Sequence, residues 1–178
     1  MKETFVLLVN GKPATGKTTI AKKIAGKLSV PCLCRDELKE LLFDDLGTGD
    51  REWFRKLGKA SFDLMYFIVE SLLRGKQSFV VETAFSVKLA NEKWRFLLAK
   101  YPFNLLQVFC ETREDIRQKR FISRNKSGER HLGHVDHLNY KISFSDVSPI
   151  DCSDKLIRVN TDDFDKVKIN KIIDNLFA

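Results

Sequence analysis

Residues 11–18 read Gly-Lys-Pro-Ala-Thr-Gly-Lys-Thr and lie between two segments of contrasting pattern. Before them, Thr4 to Val9 is almost continuously apolar, as expected of a strand that is buried on both faces of a parallel sheet. After them, apolar residues recur at helical spacing, at Ile20, Ala21, Ile24, Ala25 and Leu28. This part of the sequence therefore predicts a strand, a glycine-rich loop and a helix in succession.

The loop satisfies the pattern G-x-x-x-x-G-K-[ST] of phosphate-binding loops, in the context of strand and helix that the pattern requires. Glycines let the backbone wrap around a phosphate, and the positive end of the helix dipole favours an anion there. We expect Lys17 to bind the β and γ phosphates, Thr18 to hold Mg²⁺ and Thr19 to reach the α phosphate. The predicted nucleotide-binding residues of the loop are Gly11, Pro13, Ala14, Thr15, Gly16, Lys17, Thr18 and Thr19.

The rest of the chain continues to alternate between strand and helix patterns, which is typical of an α/β fold with a parallel sheet. We predict a single domain over residues 1–178. Further strands are expected around 30–34, 78–81, 105–110 and 156–159, and further helices over 37–43, 52–73, 87–99 and 113–125 and at the C-terminal end.

The composition is that of a folded protein. Among 178 residues, 43% are hydrophobic, and 31 Lys and Arg against 24 Asp and Glu give a net charge of +7. The cysteines are too few and too scattered for a disulfide framework, so we expect reduced thiols and a cytoplasmic protein. They are Cys32, Cys34, Cys110 and Cys152. The sequence shows neither a secretion signal nor an apolar run that would span a membrane.

Other classes of nucleotide-binding protein need motifs that this sequence does not complete. A GTPase would read guanine with N-K-x-D, whereas residues 125–128 are Asn-Lys-Ser-Gly. A large motor or AAA ATPase would carry a strand ending in Asp-Glu and a helical lid domain, for which the chain has no room. A small-molecule kinase that uses ATP and Mg²⁺ fits the length best.

Two acids are predicted to end strands beside the loop. Asp36 follows the second strand, at the sheet edge where open α/β sheets bind ligands, and its carboxylate could accept the proton of an attacking hydroxyl. The alternative is that Asp36 is the N-cap of the helix over residues 37–43. Glu82 ends the third strand, where it could hold Mg²⁺ or bind substrate, or could be a surface acid.

Four arginines are spaced four, three and four residues apart and therefore share one helix face. They are Arg113, Arg117, Arg120 and Arg124. The face is either a solvated basic surface or part of a lid, over about residues 120–135, whose arginines clamp the triphosphate and neutralise the transferred phosphoryl group. Arg120 and Arg124 are the lid candidates, followed by Arg130.

Three histidines, His131, His134 and His137, are three residues apart. A zinc site would need further ligands that the neighbouring sequence does not supply. Contacts within the substrate pocket or lid, or an ordinary surface position, are the alternatives, and His134 is a candidate substrate contact.

The acceptor pocket is expected to form from residues 38–74 and 126–150, because such segments vary freely within one fold. Five aromatic residues could line this pocket or pack in the core. They are Phe43, Trp53, Phe54, Phe62 and Tyr66.

Taken together, these residues resemble the small P-loop kinases of the AAA-domain type, a group similar to chloramphenicol phosphotransferase, polynucleotide 5′-kinase and zeta toxin. The matching pieces are residues 11–19, 34–37 (Cys-Arg-Asp-Glu), 80–83 (Val-Val-Glu-Thr), 111–113 (Glu-Thr-Arg) with Arg120 and Arg124, and 130–136. The resemblance implies a three-layer fold in which helices cover both faces of a five-stranded parallel sheet of order 2-3-1-4-5. It also gives Asp36 the role of base toward the acceptor. The acid of strand three is more commonly Asp in this group, whereas it is Glu82 here.

The motif and the resemblance together predict transfer of the γ phosphate of MgATP to a hydroxyl of a small molecule such as a metabolite, nucleoside or antibiotic. Besides Asp36, we expect Arg35, Glu82, Arg130 and His134 to contact this substrate. Three alternatives stay open: phosphorylation of a 5′-hydroxyl of DNA or RNA, a nucleotide-dependent switch without acceptor chemistry, and a toxin that acts on an activated sugar.

Overall fold

A computed structural model describes residues 3–128, 130–134 and 146–178 of the chain. Strands and helices alternate along it as the sequence pattern predicts. The elements are β1 (Phe5–Gly11), α1 (Lys17–Leu28), β2 (Cys32–Cys34), α2 (Arg35–Leu46), α3 (Arg51–Arg74), β3 (Phe79–Glu82), α4 (Val87–Lys100), β4 (Asn104–Glu111), α5 (Glu114–Lys126), β5 (Lys155–Asn160), a 3-10 turn (Phe164–Lys166) and α6 (Ile169–Phe177).

The five strands form one parallel sheet in the order β2-β3-β1-β4-β5, which confirms the predicted fold. In the central strand β1, Leu7 is in register with Val80 of β3 and Leu106 of β4. All strands run in the same direction, so the carboxyl ends of β1, β2 and β3 meet at one edge of the sheet. Ligands of open α/β sheets bind at this edge.

Helices cover both faces of the sheet, and each face has its own core because successive strand residues point to opposite sides. On one face, Val6 and Leu8 pack with Met65 of α3 and Trp94 of α4. The other face carries Leu7 and Val9 against α1 and α6, through Ile20, Ile24 and Ile172. Within the described ranges, no helix is long and apolar enough to cross a membrane.

The boundaries of two elements matter for the site. Helix α2 begins at Arg35 with Cys34 as its N-cap, so Asp36 lies inside the first helical turn. The interpretation of Asp36 as an N-cap is therefore wrong. Strand β3 extends through Glu82, which pairs with Val9 of β1 and Cys34 of β2.

Candidate active site

Both glycines of the phosphate-binding loop are required by close contacts with other parts of the fold. A Cβ atom on Gly11, at the end of β1, would lie 2.5 Å from the carbonyl oxygen of Cys110 in β4. A Cβ atom on Gly16 would lie 2.0 Å from the ring of Phe164, and the backbone of Gly16 has a left-handed φ of 79°. Only glycine fits at these positions without displacing its neighbours.

Hydrogen bonds hold the loop in a closed turn. The hydroxyl of Thr15 donates to the carbonyl of Lys12 over 2.8 Å, and the hydroxyl of Thr161, just after β5, donates to the carbonyl of Thr15 over 2.6 Å. Pro13 and Ala14 complete the turn, where Ala14 has a φ of 65°. The loop is therefore shaped before any ligand binds.

Helix α1 offers its first backbone amides as an anion site. The helix begins at Lys17, and within the described residues no side chain caps its N-terminus. The first amides of an α-helix have no acceptor within the helix, and the helix dipole adds positive potential at the same point. The amides of Lys17, Thr18 and Thr19 lie at this N-terminus, and their binding to phosphate stays a prediction.

Lys17 and Glu82 form a buried ion pair beside the loop. The Lys17 Nζ atom lies 3.4 Å from Glu82 Oε1, and the whole residues are 8% and 2% exposed. Burial raises the pKa of the Glu82 carboxyl, whereas the charge of Lys17 and a hydrogen bond from the Thr18 hydroxyl act in the opposite direction. The interpretation of Glu82 as a surface acid is therefore wrong.

The side-chain oxygens beside Lys17 fit a magnesium ion. The Thr18 hydroxyl and the Glu82 carboxylate, which meet in a hydrogen bond, are both hard oxygen donors of the kind that Mg²⁺ prefers. Within residues 3–128, 130–134 and 146–178, no group of three or more His, Cys, Asp and Glu side chains is arranged to hold a metal ion. A metal at this point would thus depend on one hydroxyl, one carboxylate and the oxygens of its ligand.

Asp36 lies between two guanidinium groups at the same edge of the sheet. One carboxylate oxygen is 3.1 Å from Arg35 Nη1, and the other is 3.2 Å from Arg130 Nη1. Burial alone would raise the pKa of Asp36, but the charges of Arg130, Lys17 and Arg35 hold the pKa well below its usual range. The carboxylate is therefore ionised at neutral pH and is available to accept a hydrogen bond.

Residues 130–134 are attached to α2 by contacts with three acids that lie one helical turn apart. Arg130 contacts Asp36, His134 Nε2 lies 2.8 Å from Glu40 Oε1, and His131 Nε2 lies 3.0 Å from Asp44 Oδ1. Glu40 and Asp44 were not among the predicted site residues. Asp36, Glu40 and Asp44 follow one another at intervals of four residues, which places all three on one helix face and was the available signal.

His134 connects Arg130 to Glu40. Burial, with a contribution from the charge of Arg130, lowers the pKa of His134 to about 3, so its imidazole is neutral at physiological pH. Nδ1 then accepts from Arg130 over 3.1 Å, and Nε2 donates to Glu40. His137, the third histidine of the predicted cluster, lies outside the described residues, as does the end of the segment 130–136.

The arginines of α5 divide among different partners. Arg117 donates to the Pro13 carbonyl of the loop over 3.4 Å, and Arg124 lines the cavity described below. Arg120 donates to the carbonyls of Thr161 and Asp162 over 2.7 and 3.0 Å, away from that cavity's wall. Three of the four arginines are half-buried, and only the Arg113 side chain is mostly exposed. The interpretation of these four arginines as a solvated basic surface is therefore wrong.

Of the predicted lid over about residues 120–135, the structure describes 120–128 and 130–134. Residues 120–126 are the last turns of α5, and Arg120 stacks on the ring of Phe164 at 4.7 Å from its centroid. Arg120 therefore contacts the segment after β5, and the Phe164 ring of that segment also lies against Gly16 of the loop. Its role toward the γ phosphate stays a prediction.

Asn10 is a structural residue of the site that sequence reasoning missed. Its side-chain oxygen accepts from the amides of Gly11 and Phe85 over 2.7 and 3.0 Å, and its amide group donates to the Ser148 carbonyl over 2.8 Å. These bonds hold the end of β1 against the segments that follow β3 and precede β5. One polar residue at the end of an apolar strand was the only sequence signal.

These groups converge on a cavity of about 670 Å³. Its polar end is formed by Lys17, Arg35, Asp36, Glu82, Arg124, Arg130 and His134. Of the five aromatic residues for which pocket and core were the alternatives, Phe54, Phe62 and Tyr66 line the cavity. Of the other two aromatic candidates, Phe43 is buried beside His131, and Trp53 donates to the Gly47 carbonyl.

Comparison with known proteins agrees with this fold. Residues 6–141 match the family model described as AAA domain. A protein from Chloroflexus aurantiacus, described as a candidate kinase, is 32% identical with a TM-score of 0.89, covering 99% of this chain and 98% of that one. No curated protein matches the chain.

Two more distant structures share the fold. The APS kinase of Mycobacterium tuberculosis, solved with AMPPNP and APS, has a TM-score of 0.61 at 19% identity and covers 99% of both chains. A gluconokinase from Sinorhizobium meliloti has a TM-score of 0.55 at 12% identity, covering 98% of this chain and 89% of that one. With a family match over most of its length and this sheet order, the chain belongs to the AAA domain family and has the fold of the small P-loop kinases of the AAA-domain type.

Proposed function

We propose that this protein, as a single domain over residues 1–178, transfers the γ phosphate of MgATP to a hydroxyl group of a small molecule. The observation that carries the proposal is the position of Asp36. This ionised carboxylate lines the same cavity as Lys17, next to the uncapped N-terminus of α1. A phosphate donor and an alcohol bound from the two sides would meet between Lys17 and Asp36.

The loop residues bind and position the triphosphate. The backbone amides at the start of α1 donate hydrogen bonds to phosphate oxygens, and Lys17 exchanges its contact with Glu82 for the β and γ phosphates. Thr18 and Glu82 would hold Mg²⁺, which when bound neutralises charge on the phosphates. Because the loop is already closed by its own hydrogen bonds, little backbone ordering remains for binding.

Asp36 acts on the acceptor. The hydroxyl donates its hydrogen bond to the carboxylate, so that its oxygen faces the γ phosphorus. The bond from that phosphorus to the bridging oxygen breaks, a bond to the acceptor oxygen forms, the hydroxyl proton passes to Asp36, and ADP leaves. A carboxylate with a low pKa is a weak base, so its main contribution is to orient the hydroxyl, and the proton moves late in the transfer.

Arginines would neutralise the transferred group. Arg124 and Arg130 line the cavity beside Lys17, and Arg120 lies at the start of the proposed lid, over about residues 120–135. Positive groups that surround a phosphoryl group in a water-poor site stabilise its transition state more than its ground state. Arg35 and His134 complete this end of the cavity as proposed substrate contacts.

The proposal is tested by measuring nucleotide binding and phosphotransfer on the same samples. The wild-type protein should bind MgATP and form ADP only when a suitable alcohol is present. Tight ATP binding without transfer to any alcohol, and with unchanged behaviour in Asp36→Asn, would instead identify a nucleotide-dependent switch. Oligonucleotides serve as a further arm, in which phosphorylation of a 5′-hydroxyl and binding that weakens steeply with salt would identify a nucleic acid kinase.

A further inference from the structure

We infer that the acceptor is an alcohol carried on a largely apolar, aromatic-sized body, and that this body occupies the half of the cavity between α3 and α4. The inference rests on the proposed function, because it names the class of molecule that is phosphorylated. It follows from three features of the cavity: the side chains of its far wall, the placement of its charges, and one exposed leucine at its mouth.

The far wall of the cavity is made of rings and aliphatic side chains. Phe62 and Tyr66 are one turn apart on α3, with Phe54 two turns earlier, and all three line the cavity. Phe85 and Leu89 line it from the segment after β3 and from α4. A cavity of about 670 Å³ lies within the range of roughly 300–1,000 Å³ that buries most of a drug-sized ligand.

The charged groups of the cavity divide between its polar end and its rim. Arg35 marks the boundary of the polar end, because its guanidinium stacks 4.5 Å from the centroid of Phe62 while it also contacts Asp36. The charged side chains at the rim are exposed, and they are Lys59, Asp63, Glu92, Lys93 and Asp146. Lys59 and Asp63 form an ion pair of 2.6 Å with each other, and Lys93 Nζ lies 6.0 Å from the centroid of the Tyr66 ring. A sugar bound along the apolar wall would give up hydrogen bonds to water without regaining them, which costs free energy for each hydroxyl.

Tyr66 offers one polar contact within the apolar half. Burial raises the pKa of its hydroxyl, which therefore stays protonated. No hydrogen bond to this hydroxyl is formed within the described part of the chain. One hydroxyl and several ring faces suit a ligand that carries a single polar substituent on an apolar frame.

Leu89 lies at the mouth of the cavity and is 67% exposed. A bound apolar molecule would cover this side chain, and the water released would favour binding. A carboxylate at the same position would instead lose hydration when such a molecule bound. Leu89 makes no part of the proposed phosphate machinery, so it can be changed without removing a catalytic group.

Leu89→Glu is therefore compared with Phe96→Glu. Phe96 is on the same helix, is 58% exposed and does not line the cavity, so it controls for a new surface charge on α4. The probe is 2-naphthylethanol, and its binding is followed by saturation-transfer NMR in the presence of MgAMPPNP. We expect wild type and Phe96→Glu to bind the probe equally and Leu89→Glu to bind it roughly tenfold more weakly, the scale of an altered apolar pocket contact.

The same three proteins are then assayed for ADP formation with naphthylethanol, glycerol, ribose and adenosine. Binding of the naphthyl probe that depends on Leu89, or its phosphorylation, supports the inference. If sugars or adenosine are phosphorylated at rates that Leu89→Glu leaves unchanged, and the naphthyl probe does not bind, the inference is overturned while the proposed function stands. Absence of MgATP binding in the wild-type protein would instead refute the proposed function.

Discussion

Arg130 and Asp36 are 94 residues apart in the chain, yet their side chains meet at 3.2 Å. The contact joins the proposed phosphate-neutralising arginine to the carboxylate that orients the acceptor. His134 accepts a hydrogen bond from Arg130 over 3.1 Å and donates one to Glu40 over 2.8 Å, which holds the Arg130 side chain in place. The two halves of the site therefore share one set of charges, and a change at Arg130 acts on the carboxylate as well as on the phosphate.

Replacing Arg130 by methionine should lower kcat and shift the pH dependence of the reaction. Loss of this cation removes an interaction that holds the pKa of Asp36 down, so the pKa rises. On acidification, activity is then lost at a higher pH than in the wild type. The acid limb of the kcat/KM profile therefore shifts to higher pH. The kcat is expected to fall by roughly a hundredfold, as for loss of one oriented stabilising group.

Arg113→Met is the control for Arg130→Met. Arg113 is also an arginine that contacts an acid, Asp162 at 3.4 Å, but its side chain is 67% exposed and does not line the cavity. The Arg113→Met substitution should leave the pH profile of kcat/KM unchanged. An acid limb that stays in place in Arg130→Met would show that the ion pair does not set the ionisation of Asp36.

Gly16→Ala should both destabilise the protein and weaken nucleotide binding. The added Cβ meets the ring of Phe164 at 2.0 Å, and alanine is strained at a φ of 79°. We expect a loss of roughly 1–3 kcal/mol in the free energy of unfolding, measured by urea denaturation, and weaker ATP binding by calorimetry.

Gly26→Ala is the matched change on the helix that follows the loop. Nothing lies within 4 Å of a Cβ at Gly26, and alanine favours the helix. We therefore expect the free energy of unfolding to rise by roughly 0.5–1 kcal/mol. Equal stability of the two alanine variants would contradict the close contact between Gly16 and Phe164.

Acidification should destabilise the protein through His134. Its pKa is about 3 in the folded protein and near 6.5 when unfolded, so between these values the unfolded chain binds the extra proton. The contribution of His134 to the free energy of unfolding therefore falls as the pH drops from about 6.5 toward 3, by up to about 1.4 kcal/mol per pH unit. His134→Gln should flatten this part of the stability profile. Parallel profiles for wild type and His134→Gln would rule out the buried neutral imidazole.

Lys17→Met should abolish phosphotransfer while the fold is retained. The change removes the charge for the β and γ phosphates, and turnover is expected to fall to less than roughly a hundredth of the wild-type rate. It also leaves Glu82 buried without its partner, which costs stability, so circular dichroism and thermal unfolding must accompany the assay. Wild-type turnover in a folded Lys17→Met protein would remove Lys17 from the mechanism.

The parts of the structure that could be predicted are those with a local cause. The apolar run before Gly11 and the helical spacing after Lys17 fix a strand and a helix, and the loop pattern between them needs no distant residue. Strand ends were located well enough to bring Asp36 and Glu82 to one edge of the sheet. Sequence resemblance then gave the strand order, which periodicity alone does not contain.

The contacts that could not be predicted join residues that are far apart in the chain. Arg120 was expected at the phosphates, but in this structure it contacts the carbonyls of Thr161 and Asp162, 41 and 42 residues away. Likewise, Phe43 and Phe54 are equally aromatic in sequence. Only the packing of α2 against α3 places Phe54 on the cavity and Phe43 in the interior.

The central claim is that Asp36 receives a small-molecule alcohol for phosphorylation, and ADP formation from MgATP tests it most directly. The assay compares wild type with Asp36→Asn across alcohols, nucleosides, sugars, antibiotics and 5′-hydroxyl oligonucleotides. We predict that one class of small-molecule alcohol stimulates the wild type and that Asp36→Asn loses this stimulation by roughly a hundredfold to ten-thousandfold, with ATP binding unchanged. Equal stimulation of both proteins, or stimulation by oligonucleotides alone, would contradict the account.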